Sequence, residues 1–296
     1  MNKIKLAAVI MVLAVMFAQS ATAAAGYADP STTPTFDIVL DGKKLQLSSP
    51  PFLQNGTTMV PFRTLFERLG LRVSWNAQIK QITAQNADKK ITLTVGSNHA
   101  TVDGKDETMP LAPVVKNNTA YITLRFAGTS SGGDVELYRG LNVVWMLSPI
   151  QSELYSAVVA GEKDKVDQLL GRGADPELLV GPVGPATFTF AEDSVEIVGL
   201  FLKHGMGIND RSADYTGYTL LHNAVYKGHI EVVKYLLASG ADPAVTSESG
   251  GTSLDLAEFW REQVRFGYKD ALDGSKSPTV QDYDTIIALL KKYMEK

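Results

Sequence analysis

Apolar and polar positions change their spacing along this chain, and the change marks its parts. Residues 6 to 18 are almost wholly apolar. Between 36 and 149 the dominant period is two, as in Gln81-Ile82-Thr83-Ala84 and Lys90-Ile91-Thr92-Leu93-Thr94-Val95, which predicts half-buried strands. One helical stretch interrupts them. Phe62, Leu65, Phe66 and Leu69 lie at i, i+3, i+4 and i+7, and Gly70 stops the segment. From about residue 150 onward the spacing is helical, most clearly in Ile230 to Leu237, with Gly240 as the terminator. An α+β half with a largely antiparallel sheet should therefore precede an all-α half.

The first half repeats itself. Asp41-Gly42-Lys43 returns as Asp103-Gly104-Lys105, Pro51 as Pro113, Asn55 as Asn117, Thr57 as Thr119, and Val60-Pro61-Phe62-Arg63 as Ile122-Thr123-Leu124-Arg125. All pairs share a single offset, so the domain is a duplication. Each copy opens on a strand, an Asp-Gly turn and a second short strand. In the second copy Phe126-Ala127-Gly128-Thr129-Ser130-Ser131 replaces Thr64-Leu65-Phe66-Glu67-Arg68-Leu69. Glycine in a helix interior costs about 1 kcal/mol, so that helix is expected to be shorter or frayed, with a mobile loop from 129 to 140. Arg63 and Arg125 occupy equivalent positions, and a shared structural role explains the repetition better than a binding role.

These residues resemble the copper amine oxidase-like N-terminal domain, also called a stalk domain, found in secreted proteins of spore-forming Gram-positive bacteria. The likeness covers about 36 to 149. It rests on Asp41-Gly42-Lys43, Asn55-Gly56-Thr57-Thr58-Met59-Val60-Pro61-Phe62-Arg63, Leu69-Gly70, Val73-Ser74-Trp75 and a half-copy ending at Trp145. The resemblance implies a spacer or attachment module that neither holds copper nor performs chemistry. The domain's single histidine, His99, agrees with that, because copper(II) needs several nitrogen ligands held close.

The second half repeats at about 33 residues. Thr219-Leu220-Leu221-His222-Asn223-Ala224 begins a helix, Gly228-His229 breaks it, and Ser239-Gly240-Ala241-Asp242-Pro243 ends the unit. This closely resembles an ankyrin repeat, whose signature is Thr-Pro-Leu-His-x-Ala, with Leu220 in place of the proline. Thr219 and His222 should cap the first helix by hydrogen bonds. Val195 to Gly205 matches Ile230 to Gly240, with Gly184-Pro185-Ala186-Thr187 at the preceding turn. Val166 to Pro176 matches upstream, and Thr252 to Ala257 begins a further unit whose second helix, Tyr283 to Tyr293, is delayed by an insertion of about 20 residues. The insertion is expected to extend that unit's first helix and then return as a loop. The array is thus a solenoid of about four repeats, its outer units atypical as caps tend to be.

Ankyrin arrays usually hold partners on a concave face built from turn tips and first helices. Position by position, the resemblance assigns to that face Tyr215, Thr216 and Tyr218 at a tip, Asn223 and Lys227 on a helix, Phe188 and Glu192 in the preceding unit, and Glu248, Leu256 and Trp260 in the next. Tyrosine and tryptophan commonly anchor protein interfaces. Packing of Phe188 and Trp260 against neighbouring units or the insertion is the alternative use of those two side chains.

Composition and the chain start complete the picture. Of 296 residues, 45% are hydrophobic and 20% charged, and the formal net charge is −4. Lys3 and Lys5, the apolar run Leu6 to Ala18 and Ala21-Thr22-Ala23 form the three regions of a secretory signal peptide over residues 1 to 23. The apolar run falls short of the roughly 20 residues needed to span a bilayer, so cleavage is expected, with no membrane association afterwards. Residues 24 to 35 have a linker composition, 36 to 149 form the stalk domain and 150 to 296 the ankyrin domain. The short joint with Pro149 suggests a limited hinge. There is no cysteine, which excludes disulfides, a lipidated cysteine and a cysteine nucleophile. No basic stripe points to nucleic acid. The motifs of hydrolases, zinc proteases and nucleotide enzymes are missing, so no catalytic, cofactor-binding or metal-binding residue is assigned. The expected function is a secreted or cell-envelope bacterial protein, not an enzyme, whose ankyrin array binds a protein partner. The alternative is attachment to wall polymer by the stalk domain, with the ankyrin units as scaffold.

Overall fold

The computed structural model describes residues 36–179, 181–182, 194–267 and 277–295. The signal peptide, the linker, Phe188, Glu192, the 184–187 turn and most of the insertion lie outside them. The chain is α+β, an N-terminal sheet domain followed by a helical repeat region. Contacts divide it into two compact units, with the division between Glu153 and Leu154.

In the first unit the strands are β1 (Asp37–Leu40), β2 (Lys43–Lys44), β3 (Phe52–Gln54), β4 (Thr57–Pro61), β5 (Arg72–Asn76), β6 (Gln81–Gln85), β7 (Lys90–Thr94), β8 (His99–Val102), β9 (Lys105–Thr108), β10 (Val114–Lys116), β11 (Thr119–Thr123), β12 (Asp134–Tyr138) and β13 (Val143–Leu147). Helix α1 (Phe62–Arg68) follows β4, and α2 (Leu124–Ser130) follows β11. The duplication is written into the elements. β1, β2, β3, β4, α1, β5 and β6 recur in the same order, at the offset seen in the sequence, as β8, β9, β10, β11, α2, β12 and β13.

The three sheets express that duplication with one asymmetry. The central sheet has the order β10-β11-β4-β3, and Val60 stands directly opposite Ile122, its own counterpart. A pseudo-twofold axis therefore passes between two equivalent residues, both fully buried. The first copy's sheet is β5-β6-β7-β8-β9 and the second's is β12-β13-β1-β2. β7 has no counterpart. In its place beside β13 lies β1 from the start of the domain, paired in parallel from Asp37↔Val143 to Leu40↔Met146. The N-terminal hairpin thus closes the second copy's sheet. Two-residue turns with positive φ at both positions join the hairpins, at Asp41-Gly42, Asn55-Gly56, Asp103-Gly104 and Asn117-Asn118, because this mirror-image turn matches strand twist.

The second helix differs from expectation. α2 is as long as α1, and residues 134–138 form strand β12 rather than part of a loop. The reason is packing. Gly128 occupies the place of Phe66, and a Cβ there would overlap Val135 Cγ2 and stand 2.9 Å from Met146 Cε. The strand has closed into the space that the phenylalanine fills in the first copy. Gly133 is equally constrained, since its Cβ would overlap the Leu147 carbonyl oxygen. Burial of Leu124, Phe126 and Ala127 outweighs the weak propensity. The paired arginines have diverged. Arg125 Nη1 donates to Val135 O at 3.2 Å, whereas Arg63 lies 3.6 Å from Glu67 on the helix surface.

The helical region comprises α3 (Pro149–Ala160), within which the division falls, and then α4 (Lys163–Gly171), α5 (Val195–Lys203), α6 (Leu220–Tyr226), α7 (Ile230–Ala238), α8 (Ser253–Arg265) and α9 (Val280–Met294). Thr219 caps α6, its Oγ1 accepting the His222 N–H at 3.3 Å while His222 Nδ1 lies 3.4 Å from the Thr219 backbone nitrogen. The corresponding position of α8 uses an acid, Asp255 accepting the Thr252 N–H at 2.8 Å. α8 has 13 residues against 7 in α6, so this first helix is indeed the extended one. α9 then packs back with Tyr283 fully buried and its hydroxyl donating to Tyr226 O at 2.8 Å.

Candidate protein-binding surface

The surface assigned from sequence centres on the loop that leads into α6. Its ends are held by Ser212 N–H donating to Tyr218 O at 2.9 Å. Asp214 Oδ1 accepts the Thr216 N–H at 2.8 Å and the Gly217 N–H at 3.3 Å, and Gly217 turns the chain with φ +58°. An aspartate taking amides two and three residues on is a standard way to close a tight turn. Tyr215, at the apex, is 55% exposed.

The tip is braced by the next loop. Glu248 N–H donates to Thr216 O at 2.9 Å, and the Glu248 carboxylate pairs with Arg211 Nη2 at 2.7 Å. Arg211 Nε also reaches Gly217 O at 3.4 Å. Tyr218 is half-buried with its ring stacked on His222, centroids 5.4 Å apart and planes 16° off parallel. Burial raises the pKa of the Tyr215 and Tyr218 hydroxyls, and the Asp214 charge pushes both the same way, so both stay neutral hydrogen-bonding groups. His222 is buried, which lowers its pKa below the usual imidazole range. The Gly251 carbonyl 3.4 Å from Nε2 opposes that shift, and the Arg211 charge adds to it. A neutral ring with the proton on Nε2 satisfies both ends, since Nε2–H then donates to Gly251 O and Nδ1 accepts from Thr219.

The helical part is separate from the tip. Asn223 Nδ2 donates to Thr219 O at 3.1 Å, and Lys227, the residue that caps the C-terminus of α6, lies over Tyr226 with Nζ 5.7 Å from the ring centre. Trp260 on α8 meets Tyr226 edge to face at 5.0 Å and Phe259 at 5.4 Å. Trp260 and Leu256 are half-buried. The structure therefore gathers Tyr215, Thr216, Tyr218 and Glu248 into one braced tip, and places Asn223 on α6, Lys227 at its C-terminal cap, and Leu256 and Trp260 on α8. Sequence reasoning passed over Arg211, whose role depends on its meeting an acid in the next repeat. It also passed over Phe259, 54% exposed, although Phe259 stands one repeat length after Tyr226 and could have been found by that offset.

His99 sits exposed at the first residue of β8. Among the described residues no group of three His, Cys, Asp or Glu side chains is placed to hold a metal ion. Among them, too, no helix is long and apolar enough to cross a membrane.

Comparison with known proteins follows the same division. Residues 39–145 match the copper amine oxidase N-terminal domain, and residues 154–247 match ankyrin repeats in three copies. Helices α8 and α9 follow the second match. The B-cell lymphoma 3 protein homolog of Mus musculus is 28% identical over 177 residues, covering 58% of this chain and 37% of that protein. A probable E3 ubiquitin-protein ligase, XBOS34, of Oryza sativa subsp. japonica is 31% identical over 124 residues, 41% of this chain and 23% of the relative. The ankyrin repeat and SAM domain-containing protein 6 of Mus musculus is 30% identical over 104 residues, 35% of this chain and 11% of the relative. The chain thus spans well under half the length of these relatives.

Proposed function

We propose that this chain, a copper amine oxidase N-terminal domain followed by ankyrin repeats, is a secreted bacterial protein without enzymatic activity whose ankyrin array holds a protein partner on its concave face. Ankyrin repeats generally bind proteins, and the observation that carries the reading further is the braced tip. Tyr215 stands exposed on a turn fixed by Asp214 and by the Arg211–Glu248 pair. A rigid, exposed tyrosine loses little entropy on binding and so makes an effective anchor. Secretion is supported by the pattern of residues 1 to 23.

The test is a pull-down from envelope and culture-fluid extracts using the chain without its leader, run beside a variant with Tyr215, Tyr218 and Lys227 changed to Ala. A protein retained by the native chain and lost from the folded variant supports the concave-face reading. Equal retention by both refutes it.

One observation favours a second reading, attachment to wall polymer through the stalk domain. Residues 36–149 contain 12 Lys and Arg against 9 Asp and Glu, whereas residues 150–296 contain 14 against 22. A net positive stalk on an acidic protein would be drawn to an anionic polymer. Co-sedimentation with purified cell wall that falls with added salt is the expected result, and binding indifferent to salt would exclude this attraction.

A further inference from the structure

Four turns of one kind close hairpins in the first unit, and their chemistry differs. Asp41 Oδ1 accepts the Ser148 N–H at 2.8 Å, and Asp103 Oδ1 accepts the Lys90 N–H at 2.8 Å. Lys89 Nζ lies 2.8 Å from Asp103 Oδ2, and the hydrogen bonds from Lys89 and Lys90 hold that carboxyl below its usual range. Both aspartates are tethered, and an ionised carboxylate is a poor electrophile. Asn55 is different. It is exposed, and its carboxamide makes no hydrogen bond among the described residues.

Its neighbour is also permissive. Gly56 is exposed, and a Cβ built on it would meet nothing within 4 Å. The ladder closes at Gln54↔Thr57, so the Gly56 amide lies in the two-residue tip rather than in the ladder. Asn55-Gly56 is the only Asn-Gly pair in the sequence. Its counterpart in the second copy is Asn117-Asn118, again with positive φ at both positions but with a side chain on the second residue. The fold thus contains its own control.

We infer that Asn55 is a site of spontaneous deamidation, opened by the exposed Asn55-Gly56 tip. The Gly56 backbone nitrogen attacks Asn55 Cγ. A carbon–nitrogen bond forms, the Cγ–Nδ2 bond breaks, and ammonia leaves with the Gly56 amide proton, giving a succinimide. Water then opens the ring at either carbonyl. One product is aspartate, which the same turn accepts at positions 41 and 103. The other is isoaspartate, which lengthens the main chain by a methylene. A two-residue turn fixes hairpin register, so the longer chain cannot keep Gln54 opposite Thr57. β3 is an edge strand on β4, and β4 supplies Val60 at the pseudo-twofold contact with Ile122. Modification at the tip therefore loosens the central sheet from its edge.

The experiment incubates the purified chain, folded, at mildly alkaline pH and follows positions 55 and 117 by peptide mass spectrometry, with chromatography separating the two products. Conversion at position 55 is expected to be at least about tenfold faster than at 117, because glycine puts no Cβ beside the attacking nitrogen. Asn118→Gly should bring position 117 to the rate of position 55. The isoaspartate fraction should unfold at lower denaturant than Asn55→Asp, which keeps the turn. An intact Asn55 in folded protein, with conversion only in denaturant, would overturn the inference, as would equal rates at 55 and 117.

Discussion

Replacing Thr123 by proline should stabilise the first unit, although proline is ordinarily destructive in a paired strand. The pseudo-symmetry supplies the reason. Thr123 is the counterpart of Pro61, and the pairs Pro61↔Tyr121 and Met59↔Thr123 flank Val60↔Ile122. Pro61 has no N–H, so ladder alternation makes Val60–Ile122 the hydrogen-bonded pair and turns the residue 123 amide away from β4. Thr123 already has φ −70° and ψ 129°, against −59° and 116° at Pro61, within reach of a pyrrolidine ring. Its preceding residue, Ile122, is in a strand, which a following proline favours. In addition, Thr123 is fully buried and its hydroxyl has no hydrogen-bond partner among the described residues.

Two gains follow. Restricting the unfolded chain is worth about 0.4–1 kcal/mol where the native geometry already fits. Removing a buried, unpaired hydroxyl contributes on the order of 1 kcal/mol, the low end of the cost of an unsatisfied polar group. Together they predict a gain of about 1–2 kcal/mol. Denaturant unfolding followed by tryptophan fluorescence would measure it in a Trp260→Phe background, where the remaining tryptophans, Trp75 and Trp145, both report on the first unit. Thr123→Val separates the terms, since it removes the hydroxyl without the ring, and should recover roughly half the gain. A loss of stability in Thr123→Pro while Thr123→Val gains would show that the residue 123 amide is used, and would refute the symmetry argument.

Three further outcomes are expected. His222 has a depressed folded pKa, so the folded state binds fewer protons than the unfolded one as pH falls below the ordinary histidine value of about 6.5. Stability of the second unit should be flat above that pH, decline through it and level off below the folded pKa. His222→Gln should abolish that component, and an unchanged pH profile in the variant would contradict the assignment. Gly128→Ala should cost about 1–3 kcal/mol by overpacking against Val135, measured by the same denaturant titration, with no loss if the strand can simply move out. Finally, N-terminal sequencing of exported protein should find the chain starting at residue 24, after Ala21-Thr22-Ala23, and an intact Met1 would refute cleavage.

Much of this molecule is local and was therefore legible in the sequence. The Asp-Gly and Asn-Gly turns need nothing beyond their own backbone preferences, and the duplication keeps a turn of that kind at each equivalent position. Thr219 and His222 lie within one turn of a helix start, so their cap is a property of the segment. What the chain alone could not decide is which residues from distant segments come together. Gly128 reads as a helix weakness until β12 is seen against it, because close packing is set by the partner surface rather than by propensity. Arg63 and Arg125 read as one feature, yet only Arg125 meets a strand carbonyl. The strand beside β13 comes from the far end of the domain, and Arg211 braces the Tyr215 tip through an acid in the next repeat. Sequence settled the hairpin turns, the duplication and the helix caps, since these depend on neighbours along the chain, but not the length of α2 or the presence of β12. Tertiary structure alone settled the sheet closure, the tight helix-strand contact and the bracing of the tip, since those depend on side chains brought together only by folding.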